Sequence, residues 1–341
     1  MARPRSLGRR LATARIAHHF TATIAALLAL GLAARGEDYP THLIKLMHGF
    51  QPGGNVDVVA RIVGQEMSKG LGQPIVVEHK PGQVGNLAAE LIAKSEPNGY
   101  TLLLVPGAHP VIGATYKQLR YRPVDDFAWI STVSFYPFVI CVRDDSRFRT
   151  LGELTAAARL RPGSVSYGSS GLGSVQFMAA ELLANVEKVK FLHVFYRGEA
   201  PSMNGLLGGD VDFIVTTTTV AAPHIQSHRV RGLGITSKTR SRELPDVPTV
   251  EEAGVRDFAV ISWSGLAAPA RTPRPVIDRL NAEVQRVVNV PAVKTRIESF
   301  AGDVRGSTPA EMRALVERQL AMWTRLAKEA GIHADSAGPA E

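Results

Sequence analysis

The stretch Leu43-Ile44-Lys45-Leu46-Met47-His48-Gly49-Phe50-Gln51-Pro52-Gly53-Gly54-Asn55-Val56-Asp57, running on to Met67, decides the fold. Leu43–Met47 is a short apolar run and reads as a strand. Gly49–Asn55 is a loop rich in turn formers. Val56, Val59, Ala60, Val63 and Met67 then recur at i, i+3, i+4, i+7 and i+11, which is one face of a helix. Gly70 and Gly72 end it. A strand, a glycine-rich loop and an amphipathic helix in that order form the first half of a βαβ unit.

The same rhythm continues outward. Ile75–Glu78 reads as a strand, Pro81–Gly85 as a loop, Asn86–Lys94 as a helix, Pro97-Asn98-Gly99 as a turn and Thr101–Val105 as a strand. Beyond them, Phe138–Val142, Val165–Tyr167, Phe191–Phe195, Val211–Val215 and Gly232–Thr236 read as strands. Helices are expected near Leu151–Leu160, Val175–Asn185, Pro201–Leu207 and Ala221–Ser227. After Ser262-Trp263-Ser264-Gly265-Leu266 the pattern turns helical over Pro273–Asn289, Pro291–Ser299 and Pro309–Ala330. Each of these begins with a proline in its first turn, where the missing N–H costs nothing. Strands separated by helices of this length imply an α/β fold built on parallel pairs.

In such sheets ligands sit off the carboxyl ends of the strands. Four strand-to-helix loops share a chemistry suited to that place. They are Phe50–Asp57, Pro106-Gly107-Ala108-His109-Pro110, Gly168–Ser174 and Thr216–Thr219. Glycine allows close backbone approach, helix-start N–H groups lack internal partners and carry partial positive charge, and Ser and Thr add hydroxyls. Together they suit a small anion such as a carboxylate. The candidate ligand-binding residues are Gly53, Gly54, Asn55, Val56, Asp57, Gly107, Ala108, His109, Ser169, Ser170, Gly173, Ser174, Thr217 and Thr218. Several side chains keep two readings. Asp57 either complements the helix dipole or orders the loop or meets an amino group. His109 lines the cleft or packs the core. Arg197 pairs with a carboxylate or forms a surface salt bridge, and Trp263 walls the cleft or packs a strand.

Composition removes other classes. With 45% hydrophobic and 21% charged residues in 341, the chain is neither disordered nor polytopic. The single cysteine, Cys141, excludes a disulfide framework. The net charge is +8, but six arginines lie within residues 1–36, which hold no acid. Without those six the balance is 33 basic against 31 acidic residues, so no nucleic-acid partner is implied. A basic start, the apolar run Thr21–Ala34 and a small-residue exit predict a secretory signal peptide over 1–36, cleaved after Ala34 or Gly36. Arg9-Arg10 leaves twin-arginine export open beside the general route. The mature chain is expected to be periplasmic and monomeric.

No catalytic signature stands out. Gly168-Ser169-Ser170-Gly171 is not a nucleophile elbow. No H-E-x-x-H or metal-spaced histidine pair occurs, and no nucleotide loop is present. The expectation is a non-enzyme without metal or cofactor.

Further motifs carry a family resemblance. They include Tyr39-Pro40, Pro52-Gly53-Gly54 with Asp57, Leu71-Gly72-Gln73-Pro74-Ile75-Val76-Val77-Glu78, and Pro97-Asn98-Gly99-Tyr100-Thr101-Leu102-Leu103. Tyr167-Gly168-Ser169, His193-Val194 with Tyr196, Leu206-Leu207-Gly208-Gly209 and Pro223-His224-Ile225 follow. Leu244-Pro245-Asp246-Val247-Pro248-Thr249, Glu252-Ala253-Gly254 and Ala268-Pro269 complete the series. In this order they resemble the substrate-binding proteins of tripartite tricarboxylate transporters, the TctC or Bug family, from Tyr39 to Ile332. The resemblance implies a two-lobed (type II, Venus-flytrap) periplasmic binding fold with a ligand cleft between the lobes. Lobe one would hold 37–138 plus 264–341, and lobe two 139–263. It implies a small carboxylate held by first- and second-loop backbone, lobe closure, and delivery to integral membrane transporter subunits.

The chain also departs from the family. Asn55 and Val56 stand where a third glycine and a Thr or Ser are usual. Phe177 replaces a common His, Phe195 replaces a common Pro, and Val215-Thr216-Thr217 replaces a frequent Phe-Asp-Asn. A carboxylate able to hold a ligand amine is thereby missing, which points to an unaminated acid, aromatic or dicarboxylic. Two alternatives share these residues: a ligand-sensing subunit for a membrane kinase, and an exported serine hydrolase using a serine of Gly168–Ser174.

Overall fold

The computed structural model describes residues 39–333, so the predicted signal peptide lies outside the described residues. Residues 1–41 and 42–341 form separate units. The first contributes Tyr39, Pro40 and Thr41 to the described residues, with a cis Tyr39–Pro40 bond.

Its first part is β1 (Ile44–His48), α1 (Asn55–Leu71), β2 (Ile75–His79), α2 (Asn86–Ala93), β3 (Thr101–Pro106) and α3 (Ala108–Thr115). The predicted apolar stripe of α1 is the buried face, with Val59, Ala60, Val63 and Met67 fully enclosed. Gly72 closes that helix in the left-handed region at φ 69°, where a Cβ would be strained. β1 lies parallel between β2 and β3, so the carboxyl ends of β1 and β3 open on one edge.

The chain then enters β4 (Phe127–Arg143), followed by α4 (Leu151–Leu160), β5 (Ser166–Ser169), α5 (Val175–Glu187), β6 (Leu192–Phe195), α6 (Glu199–Gly208), β7 (Phe213–Thr217), α7 (Thr218–Gln226) and β8 (Val230–Ile235). It returns through β9 (Ile261–Pro269), α8 (Arg274–Val288), α9 (Pro291–Ala301), β10 (Asp303–Val304) and α10 (Pro309–Ala330). α10 starts with a capping box, Thr308 and Glu311 each satisfying the other's backbone N–H.

The sheet is mixed rather than wholly parallel. Its order is β2-β1-β3-β9-β4-β7-β5-β6, with β8 and β10 also pairing β4. β5 runs parallel to β6 and β7, whereas β9 is antiparallel to β3 and β4, and β4 is antiparallel to β7 and β8. The 17-residue β4 joins the two parallel groups: Phe127–Pro137 pairs β9, and Phe138–Arg143 pairs β7 and β8. Sequence periodicity finds only Phe138–Val142 of this strand. Pro137 interrupts the run, and two bulges break the alternation of its first part.

Candidate functional site

The four loops hang on the ends of two pairs of parallel strands. The first follows β1 and is shaped by a buried ionic group. His48 is fully buried, and its Nδ1 accepts the Phe50 N–H at 3.4 Å. That tautomer leaves Nε2 to donate to Asp57 Oδ1 at 3.0 Å. Asp57 Oδ2 accepts the Gly53 N–H at 3.0 Å and Arg61 Nε at 2.9 Å. Burial alone would raise the Asp57 carboxyl, but Arg61, Gly53 and His48 together hold it at about 2. Burial also depresses His48 below its usual value, outweighing the pull of Asp57. Asp57 thus orders the loop. The Gly53 N–H is spent on it, which removes Gly53 as a backbone donor toward a ligand.

The N–H groups of Gly54, Asn55 and Val56 precede the first helical hydrogen bond, which Val58 makes to Gly54 O. Gly53 and Gly54 are exposed, and Val56 is buried. Both polar atoms of the Asn55 amide are buried without a hydrogen-bond partner among the described residues.

In the second loop the Gly107 N–H donates to Trp263 O at 2.8 Å. A Cβ on Gly107 would meet Ser262 Oγ at 2.7 Å, so a larger residue there would have to displace the Ser262 hydroxyl. Ala108 starts α3 and offers a free first-turn N–H. His109 turns inward, its Nε2 donating to Pro123 O at 2.7 Å, with its ring among Tyr121, Phe127 and Trp129. Burial pushes this imidazole down to about 4. Its ring also borders a cavity of about 10 Å³, room for about one water, that Phe50, Val84, Pro106 and Ile112 line. Trp263 is buried and donates to Gln319 Oε1 at 2.7 Å, so it packs β9 against α10.

The third loop is held by its own hydroxyls. Ser174 caps α5: its Oγ donates to Gly171 O at 2.7 Å and accepts the Phe177 N–H at 3.1 Å. Ser169 Oγ accepts the Gly171 N–H at 3.2 Å and donates to His193 Nε2 at 2.8 Å. His193 is neutral, burial having lowered it to about 4. This is a serine–histidine pair that the sequence reading lacks, because its partners are 24 residues apart. Ser169 is only 1% exposed, and the pair pins the loop. Ser170 is half-buried beside it.

The fourth loop is tied by a carboxylate no motif announced. Glu199 Oε2 accepts Thr216 Oγ1 at 3.0 Å, Thr217 Oγ1 at 2.7 Å and the Thr217 N–H at 3.3 Å. Its Oε1 accepts the Gln176 amide. The Thr217 hydroxyl and N–H are therefore occupied, and Thr218 begins α7 in a buried position.

The second loop reaches β9 near its start, beside β4. Tyr136 and Ser262 are cross-strand partners, and both are buried. Burial pushes the Tyr136 phenol up to about 12, and the Glu199 charge adds to this. Gly107 touches Ser262 from one side. A Cβ built on Gly173 would lie 3.3 Å from Ile112 and Tyr116 and 3.5 Å from Val84. The third loop therefore abuts α3 and the neighbourhood of the first loop. His48, Tyr136, His193 and Glu199 are the contributors the sequence reading missed. Only Glu199, an acid in a helix's first turn, left any local sign.

Helix-start donors above paired strands, gathered around two crossover strands, define the periplasmic-binding class of fold. The chain belongs to the tripartite tricarboxylate transporter family receptors (TctC), whose model matches residues 59–332. It is 36% identical over 304 residues to the UPF0065 protein in the tcbD-tcbE intergenic region of Pseudomonas sp. strain P51, covering 89% of this chain and 90% of that one. It is similar to the periplasmic binding protein BugD at TM-score 0.78 and 31% identity, covering 87% of this chain and 100% of BugD. Rpa4515 of R. palustris, solved with adipate, aligns at TM-score 0.79 and 30% identity over 87% of this chain and 99% of its own. The fold is the two-lobed α/β fold of these binding proteins. Among the described residues no helix is long and apolar enough to cross a membrane.

Proposed function

We propose that this chain is a periplasmic receptor that captures a small unaminated carboxylate by lobe closure and hands it to integral membrane subunits of a tripartite tricarboxylate-type transporter. Lobe one comprises 37–138 plus 264–341, lobe two comprises 139–263, and residues 1–36 direct export. The observation that carries the reading is the approach of Gly173, beside the start of α5, to Ile112 and Tyr116 towards the end of α3 and to Val84 in the loop after β2. The head group is held by N–H groups of Gly54, Asn55 and Ala108, and the third loop closes from the other side. Closure follows ligand binding because only the closed form contacts the acid from both lobes.

The two carboxylates nearest the loops, Asp57 and Glu199, are both saturated with internal donors, which leaves neither to neutralise a ligand ammonium. The adipate held by Rpa4515 belongs to the same chemical class. Calorimetry of the chain lacking residues 1–36 tests the reading. Adipate or an aromatic acid is expected to bind while aspartate and glutamate do not. Tight binding of the amino acids alone refutes it.

A further inference from the structure

The connections that lead into β5 and β6 meet at the ends of these strands opposite the third loop. The Gly163 N–H donates to Lys190 O at 2.8 Å, and Arg159 Nη2 donates to Glu187 O at 3.0 Å, so the turn after α4 lies against the turn after α5. The two turns carry three exposed cations, Arg161, Lys188 and Lys190, none with an ion-pair partner among the described residues. The acids beside them are engaged: Glu187 pairs with Arg159 at 2.9 Å, and Glu329 accepts the Asn185 amide at 3.0 Å. Leu160, preceding Arg161, is 84% exposed, and Val186 and Leu192 on the neighbouring turn are exposed as well.

We propose that this end of the molecule docks on a bilayer surface rich in anionic phospholipid. The proposal goes beyond the receptor reading and does not depend on which acid is bound. Unpaired cations are drawn to negatively charged headgroups. Leu160 enters the boundary between headgroups and acyl chains, and the lysine and arginine stems lie along it with their charges in the headgroup layer. The leucine projects almost clear of its own protein, so a protein partner would have to supply a pocket of matching shape, whereas a fluid headgroup layer needs none. The contact is weak and reversible, because a few cations and one leucine fall short of a stable anchor. Docked this way, the loops at the carboxyl ends of β5 and β7 are held off the lipid.

The test is co-sedimentation with vesicles of mixed phosphatidylglycerol and phosphatidylcholine against phosphatidylcholine alone. It uses the chain lacking residues 1–36, whose arginines and apolar run would bind lipid themselves. Residues 42–341 form a separate unit, which this removal leaves whole. At low ionic strength partition into the anionic vesicles is expected to exceed that into neutral ones by about tenfold or more, and to fall as salt is raised. The triple variant Arg161→Gln, Lys188→Gln, Lys190→Gln abolishes that excess. Leu160→Ala weakens binding about threefold without lowering the melting temperature, because the side chain packs against little. Equal partition into both vesicles, or an excess that survives the triple substitution, overturns the proposal. Acid binding measured by calorimetry is independent of that result, so the receptor reading would stand. Partition into neither vesicle also overturns it and makes an acidic protein surface the partner these cations fit.

Discussion

Two loops on opposite sides of the crossover strands are each organised by one carboxylate, and they are built differently. Asp57 lies in the first turn of the helix its own loop feeds, and its partners are an imidazole, a guanidinium and a backbone N–H within nine residues of it. Glu199 stands on α6, and it gathers hydroxyls and an amide from β7 and α5, 17 to 23 residues away. The first arrangement fixes one loop locally and leaves the next N–H groups of α1 free. The second ties three elements together and consumes the polar groups of the fourth loop. The first loop is therefore equipped to hold an anion, and the fourth to hold its lobe in shape.

That contrast is open to attack at several points. Replacing Glu199 by Ala strands four donors at once, and the unfolding free energy in denaturant is expected to fall by about 3 kcal/mol. Glu199→Gln, which keeps an acceptor, should lose about half as much. A negligible loss from both would mean that the fourth loop needs no tie.

Asp57→Asn removes a charge that is almost fully enclosed, and about 2 kcal/mol is the expected cost near neutrality. Its folded pKa lies below the unfolded value of 3.8. The stabilisation is therefore present above pH 3.8 and disappears as pH falls toward about 2. Denaturant curves for wild type and Asp57→Asn should converge over that range. A gap that stays constant there would show that the charge is not the source.

Ser169→Ala leaves the Gly171 N–H without its acceptor and should lower stability by about 1 kcal/mol. Wild type and variant are expected to be equally inactive on ester substrates. Wild-type turnover lost in the variant would favour a hydrolase. The smallest effect belongs to Gly173→Val. Its extra atoms meet Ile112 and Tyr116 only when the halves approach, so stability should change by about 0.5 kcal/mol or less while acid affinity drops measurably by calorimetry. Unchanged affinity would detach Gly173 from closure.

How far the sequence carried the reading can be judged residue by residue. Val59, Ala60, Val63 and Met67 bury as their spacing requires, and Leu151–Leu160 and Pro309–Ala330 match their helices end to end. These features are local, so periodicity and caps record them. β9 and the first part of β4 escaped because they pair across about 130 residues of chain, as with the Ser134–Ser264 hydroxyl pair, and nothing in either segment names the other. At the site, glycines and hydroxyls marked all four loops. They did not tell which donors would be spent internally. Gly53, Ser174 and Thr217 look alike in sequence to free donors, yet each is occupied by a partner that only the folded chain supplies.

The central claim is that amides at the starts of α1, α3 and α5 close together on one acid. Hydrogen–deuterium exchange of the chain lacking residues 1–36, with and without the tightest acid found by titration, measures this directly. The account predicts simultaneous slowing at Gly54–Val56, Ala108 and Gly173–Gln176. Slowing confined to one of these helix starts, or to a surface remote from all three, would contradict it.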